Sequence, residues 1–179
     1  MNSEASRARI VERLRAYATS NQDRADTAER IIAFVESTPT CAERSHLAGH
    51  LTGSAWIVNE SRTKALLLHH KKLNRWMQPG GHADGDLDLL SVAFREAREE
   101  TGMESVSPAS PEVFDVDIHE IPPFKDIPAH YHYDVRFLFI ADDQEAPRQN
   151  DESNKVAWIE VSEIHRYTDE ESVLRMARK

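Results

Sequence analysis

Apolar positions recur at helical spacing near the start of the chain. In Glu4–Ala18 they are Ile10, Val11, Leu14 and Tyr17. SNQD then supplies turn and cap chemistry. A second helix, Asp26–Glu36, carries Ile31, Ile32, Phe34 and Val35 and ends at STPT, where Pro39 stops it. From about His46 the pattern changes to that of strands. Leu51–Glu60 and Lys64–Lys71 flank the polar break NESRT and predict a hairpin or paired strands. RWMQPGGH reads as a short strand running into a loop. In Val113–Ile121, Phe114, Val116 and Ile118 alternate with Asp115, Asp117 and His119, the period of a half-buried strand. His130–Asp142 repeats this more strongly, with Tyr131, Tyr133, Val135, Phe137 and Phe139 on one face. Lys155–Val161 is the last strand, and SEIHRY and DEESVLRMARK close the chain as short helices. The order predicts an α/β fold, a mixed sheet with helices packed on it.

Between the strands lies one helix, predicted over Asp88–Thr101. Asp86 or Asp88 suits its N-terminus, and Gly102 suits the position just past its end. At about 100° per residue, Leu90, Ala93, Phe94 and Ala97 form an apolar stripe, the expected core face. Glu96, Glu99 and Glu100 share a second face beside it. Like charges at this spacing repel by roughly 0.2–0.5 kcal/mol per pair. The last turns of a helix also disfavour anions, by roughly 0.3–1 kcal/mol each. Arg95 and Arg98 relieve this in part. One reading is a solvated acidic face. The other is a site for hard divalent cations, since Mg²⁺ favours carboxylate and carbonyl oxygens.

Charge and composition narrow the classes. The 179 residues are 40% hydrophobic and 30% charged, with a formal net charge of -9. Nonspecific binding to a nucleic-acid polymer needs clustered Lys and Arg and is not expected. A small phosphorylated substrate remains compatible if metal ions carry the positive charge. Cys41 stands alone, so no intrachain disulfide or cysteine zinc site forms. No apolar run approaches the ~20 residues of a membrane span, and the N-terminus lacks a signal-peptide core. A cytoplasmic protein with no membrane partner is the expectation.

The stretch Gly81–Met103 resembles the box of the Nudix hydrolase family. That box reads as a glycine, five residues, a glutamate, seven residues, then REUXEEXGU, with U a bulky apolar residue. Gly81 takes the first glycine, and Arg95 through Met103 fit the final segment, with Ala97 a small occupant of its apolar slot. Leu87 falls where the first glutamate belongs, flanked by Asp86 and Asp88. The preceding WMQPGG looks like the strand and turn that lead into such a box. The resemblance implies a Nudix-type α/β/α sandwich over residues 46–179, with residues 1–45 an N-terminal helical extension outside it. It implies Glu96, Glu99, Glu100 and the Gly81 carbonyl as metal ligands, for Mg²⁺ or alternatively Mn²⁺. Arg95 would orient Glu96 or a neighbouring carboxylate. The implied reaction is attack of a metal-activated water on a diphosphate, usually in a nucleoside diphosphate derivative. Leu87 removes one carboxylate from this pattern, and a one-residue shift of the loop would let Asp86 substitute. An alternative from another class is a Nudix-fold module that binds a nucleotide-like ligand without turnover. Diphosphate isomerase chemistry is disfavoured, because Cys41 sits far upstream of the box.

Further candidates lie outside the box. Family members often recruit another acid from a loop, and Glu152 in NDESNKVAW is the candidate base or extra ligand, with Asp151 its neighbour. His130, His132 and Asp134 alternate along one strand and share a face, so they read as substrate contacts, a separate metal site, or polar residues on an open sheet face. HHKKLNR, His69–Arg75, is a compact basic run in which Arg75 could meet substrate phosphates. His82 follows the glycine turn and would face the site. Trp56, Trp76 and Trp158 all fall in strands and read as core or rim. The first two helices carry no catalytic constellation. They read as a layer on the main domain, a homodimer contact, or a lid.

Overall fold

The computed structural model describes residues 3–179. Helix α1 spans Ser3–Ser20 and α2 spans Ala25–Ser37, with a short 3₁₀ turn between them. Seven strands follow: β1 Gly49–Val58, β2 Lys64–His70, β3 Arg75–Met77, β4 Gly80–His82, β5 Ser107–Ile121, β6 His130–Ile140 and β7 Ser153–Glu160. Helix α3, Leu89–Thr101, separates β4 from β5, and α4, Glu171–Ala177, closes the chain. They form one sheet in the order β3-β2-β1-β6-β5, with β4 paired to β1 and β7 paired to β2. The β1–β2 hairpin forms as expected, antiparallel with Ile57 opposite Leu66. Strand β7 runs antiparallel along β2, placing Trp158 opposite Leu66.

The chain divides into two compact units. The first comprises the chain up to Gly53, Gly81–Val92 and Glu112–Arg136; the second comprises Ser54–Gly80, Ala93–Pro111 and Phe137–Lys179.

In the first unit, the apolar faces of α1 and α2 are buried through Ile10, Val11, Leu14, Ile31, Ile32 and Val35. Phe34 of α2 stacks on Tyr133 of β6, with ring centroids 3.9 Å apart. The polar side of β5 and β6 departs from the half-buried expectation. Asp115 and Asp134 are buried about as deeply as their apolar neighbours Val116 and Val135. The reason is Arg136, which is only 2% exposed. Its Nε donates to Asp134 Oδ2 at 2.7 Å and its Nη1 to Asp115 Oδ2 at 3.3 Å, while Nη2 lies 3.5 Å from Asp117 Oδ2. Thr52 of β1 donates to Asp134 Oδ1 at 2.9 Å. The first helices reach the same network: Tyr17 donates to Asp115 and Arg24 to Asp117. A buried charge is tolerable only when it is paired and hydrogen-bonded, and each member of this group is.

In the second unit, the aliphatic core is Ile57, Leu66, Leu67, Leu68, Ile159 and Phe139, with Ala93 and Ala97 from α3. Phe94 stacks on Phe139 at 6.2 Å. The three tryptophans fall in β1, β3 and β7 as expected.

Removing Arg136 should leave the two buried carboxylates, Asp115 and Asp134, without their cation. Arg136→Met is expected to destabilise the protein by roughly 3–5 kcal/mol, the usual cost of breaking a buried pair from one side. Urea titration followed by tryptophan fluorescence measures it; a change below about 1 kcal/mol would show that the network is dispensable.

Candidate active site

The glycine turn is tighter than a loop. Gly80–His82 is the short strand β4, paired with β1, and Ala55 N–H donates to the Pro79 carbonyl at 2.9 Å. A side chain at Gly80 is excluded: a Cβ there would lie 2.9 Å from Ser54 Cα and closer still to its side chain. Glycine therefore lets two backbones meet, and the close approach leaves the Gly80 N–H pointing at α3. It donates to Glu100 Oε2 at 2.8 Å.

Helix α3 begins where Val92 N–H donates to the Asp88 carbonyl, and Asp86 accepts from Asp88 N–H at 2.9 Å. Asp86 thus shapes the entry to the helix. Gly102 ends it with φ +63°, the left-handed conformation expected at that position. The buried stripe is rotated from the predicted one. Leu89, Val92, Ala93 and Ala97 are buried, whereas Leu90 and Phe94 are only partly so. The turn following Ala97 on that face brings in Glu100, which is 6% exposed. Glu96 is half-buried and Glu99 exposed. The three glutamates thus step from core to solvent.

Burial raises the Glu100 carboxyl to a pKa of about 8, with the negative charges of Glu96, Glu152 and Glu99 adding to the effect. The Gly80 hydrogen bond opposes it. Glu152, exposed on the loop before β7, is therefore brought within electrostatic range of the helix acids. Its N–H is held by Asn150 Oδ1 at 2.9 Å, and its carbonyl accepts from Lys71 N–H at 2.8 Å. Arg95 lies 3.5 Å from Glu96 Oε1. Four of the acids expected from the sequence, Glu96, Glu99, Glu100 and Glu152, thus interact electrostatically, with Arg95 paired to Glu96. Glu100 therefore resists ionisation, and a divalent cation with oxygen preference fits the donor set of the four acids.

Other candidates lie elsewhere. Arg75 forms an ion pair with Glu170, so the basic run does not leave it unengaged. His130 and His132 separate in role from Asp134, which is committed to Thr52 and Arg136. They gather instead with His82 and with His50, a residue that sequence reasoning passed over. The signal for His50 was its alternation with Thr52 and Ser54 along β1. Leu87 is 7% exposed and lines a small gap with Ser6, Arg9, Ile10 and Arg13 of α1. A carboxylate at that position would be desolvated against a helix.

A family model described as the NUDIX domain matches residues 50–178. The chain belongs to the Nudix family. No curated protein matches the chain. Among solved structures, this Nudix protein is similar to the MutT protein from Methanosarcina mazei Go1, at TM-score 0.56 and 18% identity over 74% of this chain and 93% of that one. It is similar to a NUDIX-family hydrolase from Clostridium perfringens, at TM-score 0.53 and 24% identity over 72% and 93%. It also resembles the C. elegans Ap4A hydrolase, at TM-score 0.52 and 16% identity over 72% and 92%. At these identities the likeness establishes the fold: the α/β/α sandwich with a mixed sheet, here with helices α1 and α2 preceding it. Nudix hydrolases generally use divalent metal ions. No helix among the described residues is long and apolar enough to cross a membrane.

Glu100 generates a pH prediction for the metal-free protein. Its folded pKa lies above the unfolded value of 4.5. The folded state therefore holds the extra proton, and the associated stability is complete below pH 4.5 and lost as pH rises through about 8. The full span is roughly 5 kcal/mol at most. In chelator, Glu100→Gln should flatten the fall in Tm between pH 6 and 9 and stabilise the protein at the alkaline end. An unchanged pH profile would show that Glu100 ionises freely.

Proposed function

We propose that this Nudix protein hydrolyses a diphosphate linkage, in a nucleoside diphosphate derivative or similar compound, with Mg²⁺ or Mn²⁺ as cofactor. The observation that carries the reading is the buried Glu100, anchored by the Gly80 N–H and ringed by Glu96, Glu99 and Glu152. Such a group is costly unless a cation shares it. Glu96, Glu99 and Glu100 would hold the metal, with the Gly81 carbonyl as a further oxygen donor. Bound there, a divalent ion neutralises charge on phosphoryl oxygens and lowers the pKa of water.

The remaining work falls to the chain's own groups. The Gly80 N–H fixes one oxygen of Glu100. Arg95 restrains Glu96 and offsets the repulsion within the helix. Glu152 stands on a separate, exposed loop and serves as proton acceptor for the attacking water, or as an added ligand. The buried Leu87 takes no part; in its place the chain gains an apolar contact with α1. Residues 46–179 form the catalytic domain in this reading, and 1–45 its helical extension. The substrate is a small molecule, and the protein works without a nucleic-acid or membrane partner, in the cytoplasm.

A panel of nucleotide sugars, nucleoside triphosphates, dinucleoside polyphosphates and non-nucleotide diphosphates, assayed for phosphate or nucleotide release with Mg²⁺ or Mn²⁺, tests this. Turnover is expected with at least one class and should fall roughly 100-fold or more in Glu99→Gln and Glu100→Gln, beyond the loss typical of a supporting partner. Tight ligand binding with no turnover of any diphosphate would replace the enzyme by a sensor. Glu152→Gln should lower kcat with metal affinity intact if Glu152 accepts the proton, and weaken metal affinity if it is a ligand.

A further inference from the structure

Five histidines come together in the first unit, outside the acid cluster. The His50 ring lies 5.0 Å from each of His82, His130 and His132, centroid to centroid. His82 is 4.9 Å and His130 is 5.2 Å from His132. His119 approaches His132 at 5.4 Å. One ligand nitrogen from each of His50, His130 and His132 falls within 4.8 Å of the others. Packing imidazoles together has little structural merit, because each carries two polar nitrogens that need partners. Here three of those nitrogens lack one. His50 is 4% exposed, and its Nδ1 and Nε2 are both buried without a hydrogen bond, as is His132 Nε2. Each such atom has given up its hydrogen bonds to water without a replacement.

Two contacts orient the outer rings. His130 Nδ1–H donates to the Pro128 carbonyl at 2.9 Å, which directs Nε2 toward the cluster. His119 Nδ1 lies 3.3 Å from Asp117 Oδ2, the carboxylate–imidazole pairing that commonly backs metal-ligand histidines. We propose that His50, His130 and His132 bind a divalent transition-metal ion of the Zn²⁺ class, with His82 beside its fourth position. Imidazole nitrogens suit Zn²⁺, Ni²⁺ or Cu²⁺ and discriminate against Mg²⁺, which takes oxygen. Bonds of about 2.0–2.1 Å in a tetrahedron set nitrogens about 3.4 Å apart, so the rings close by about 1.4 Å at most. The site is chemically distinct from the carboxylates of α3. A protein using both would hold a hard ion on oxygen and a softer ion on nitrogen.

The test uses the purified full chain, stripped with chelator and titrated with Zn²⁺ or Co²⁺ in excess Mg²⁺. One ion should bind per chain, and bound Co²⁺ should show the intense visible absorption of a low-coordinate nitrogen site. His50→Gln and His132→Gln should each weaken binding by roughly 100-fold or more, a larger loss than that of a supporting partner. Glu99→Gln and the pair His69→Gln with His70→Gln should retain it, which separates the site from the acid cluster and from surface histidines. Thermal melts of each variant establish that the fold persists. Failure of the wild-type chain to bind Zn²⁺ or Co²⁺ overturns the proposal without recourse to any variant. So does binding that survives His50→Gln and His132→Gln, or that is lost with Glu99→Gln or the surface pair.

Discussion

The buried guanidinium of Arg136 is the constraint around which the first unit is arranged. It is enclosed by Asp115, Asp117 and Asp134, drawn from β5 and β6. A cation at that depth cannot exist without these partners, and three carboxylates there cannot exist without a cation. The result pins strand register, because a one-residue slip of β5 or β6 would turn charges toward the apolar side. It also accounts for the helices that precede the sheet. Tyr17 and Arg24 reach Asp115 and Asp117, which ties both helices to the polar face.

The histidine cluster is a continuation of that face. His50 lies two residues from Thr52 on β1, His132 two residues from Asp134 on β6, and His119 two residues from Asp117 on β5. Strand periodicity therefore carries three positions from an ion-pair network directly into a group of imidazoles. In the network every charge is matched. In the cluster, nitrogens are buried without partners. The network pairs charge with charge, whereas the cluster gathers neutral donors with nothing to bind, and that difference is the physical ground for assigning the cluster to a ligand and the network to structure.

Helix α3 solves a different problem. Its core face ends in a glutamate, anchored by one backbone N–H and left short of positive charge. The N-terminal half carries Leu87 at its threshold, seated against α1. Where the family's box has an acid, this chain has a residue that suits a covered surface.

Much of this was legible in the chain itself. Local period distinguishes helix from strand, so every major element except β4 could be placed. The spacing of Glu96, Glu99 and Glu100 announced an acid cluster, and the pattern from Gly81 to Met103 named its family. These features depend on neighbours in sequence. Tertiary structure decided which acid is buried, because Phe94 and Glu100 stand about 120° apart around the helix and its rotation selects which of them meets the core. It decided that the polar sides of β5 and β6 are covered, because Arg136 neutralises them. It gathered His50, His82, His119, His130 and His132 from four segments, a proximity that no local period encodes. Sequence carries what repeats along the backbone; contacts across the sheet arise only when strands far apart in the chain are paired.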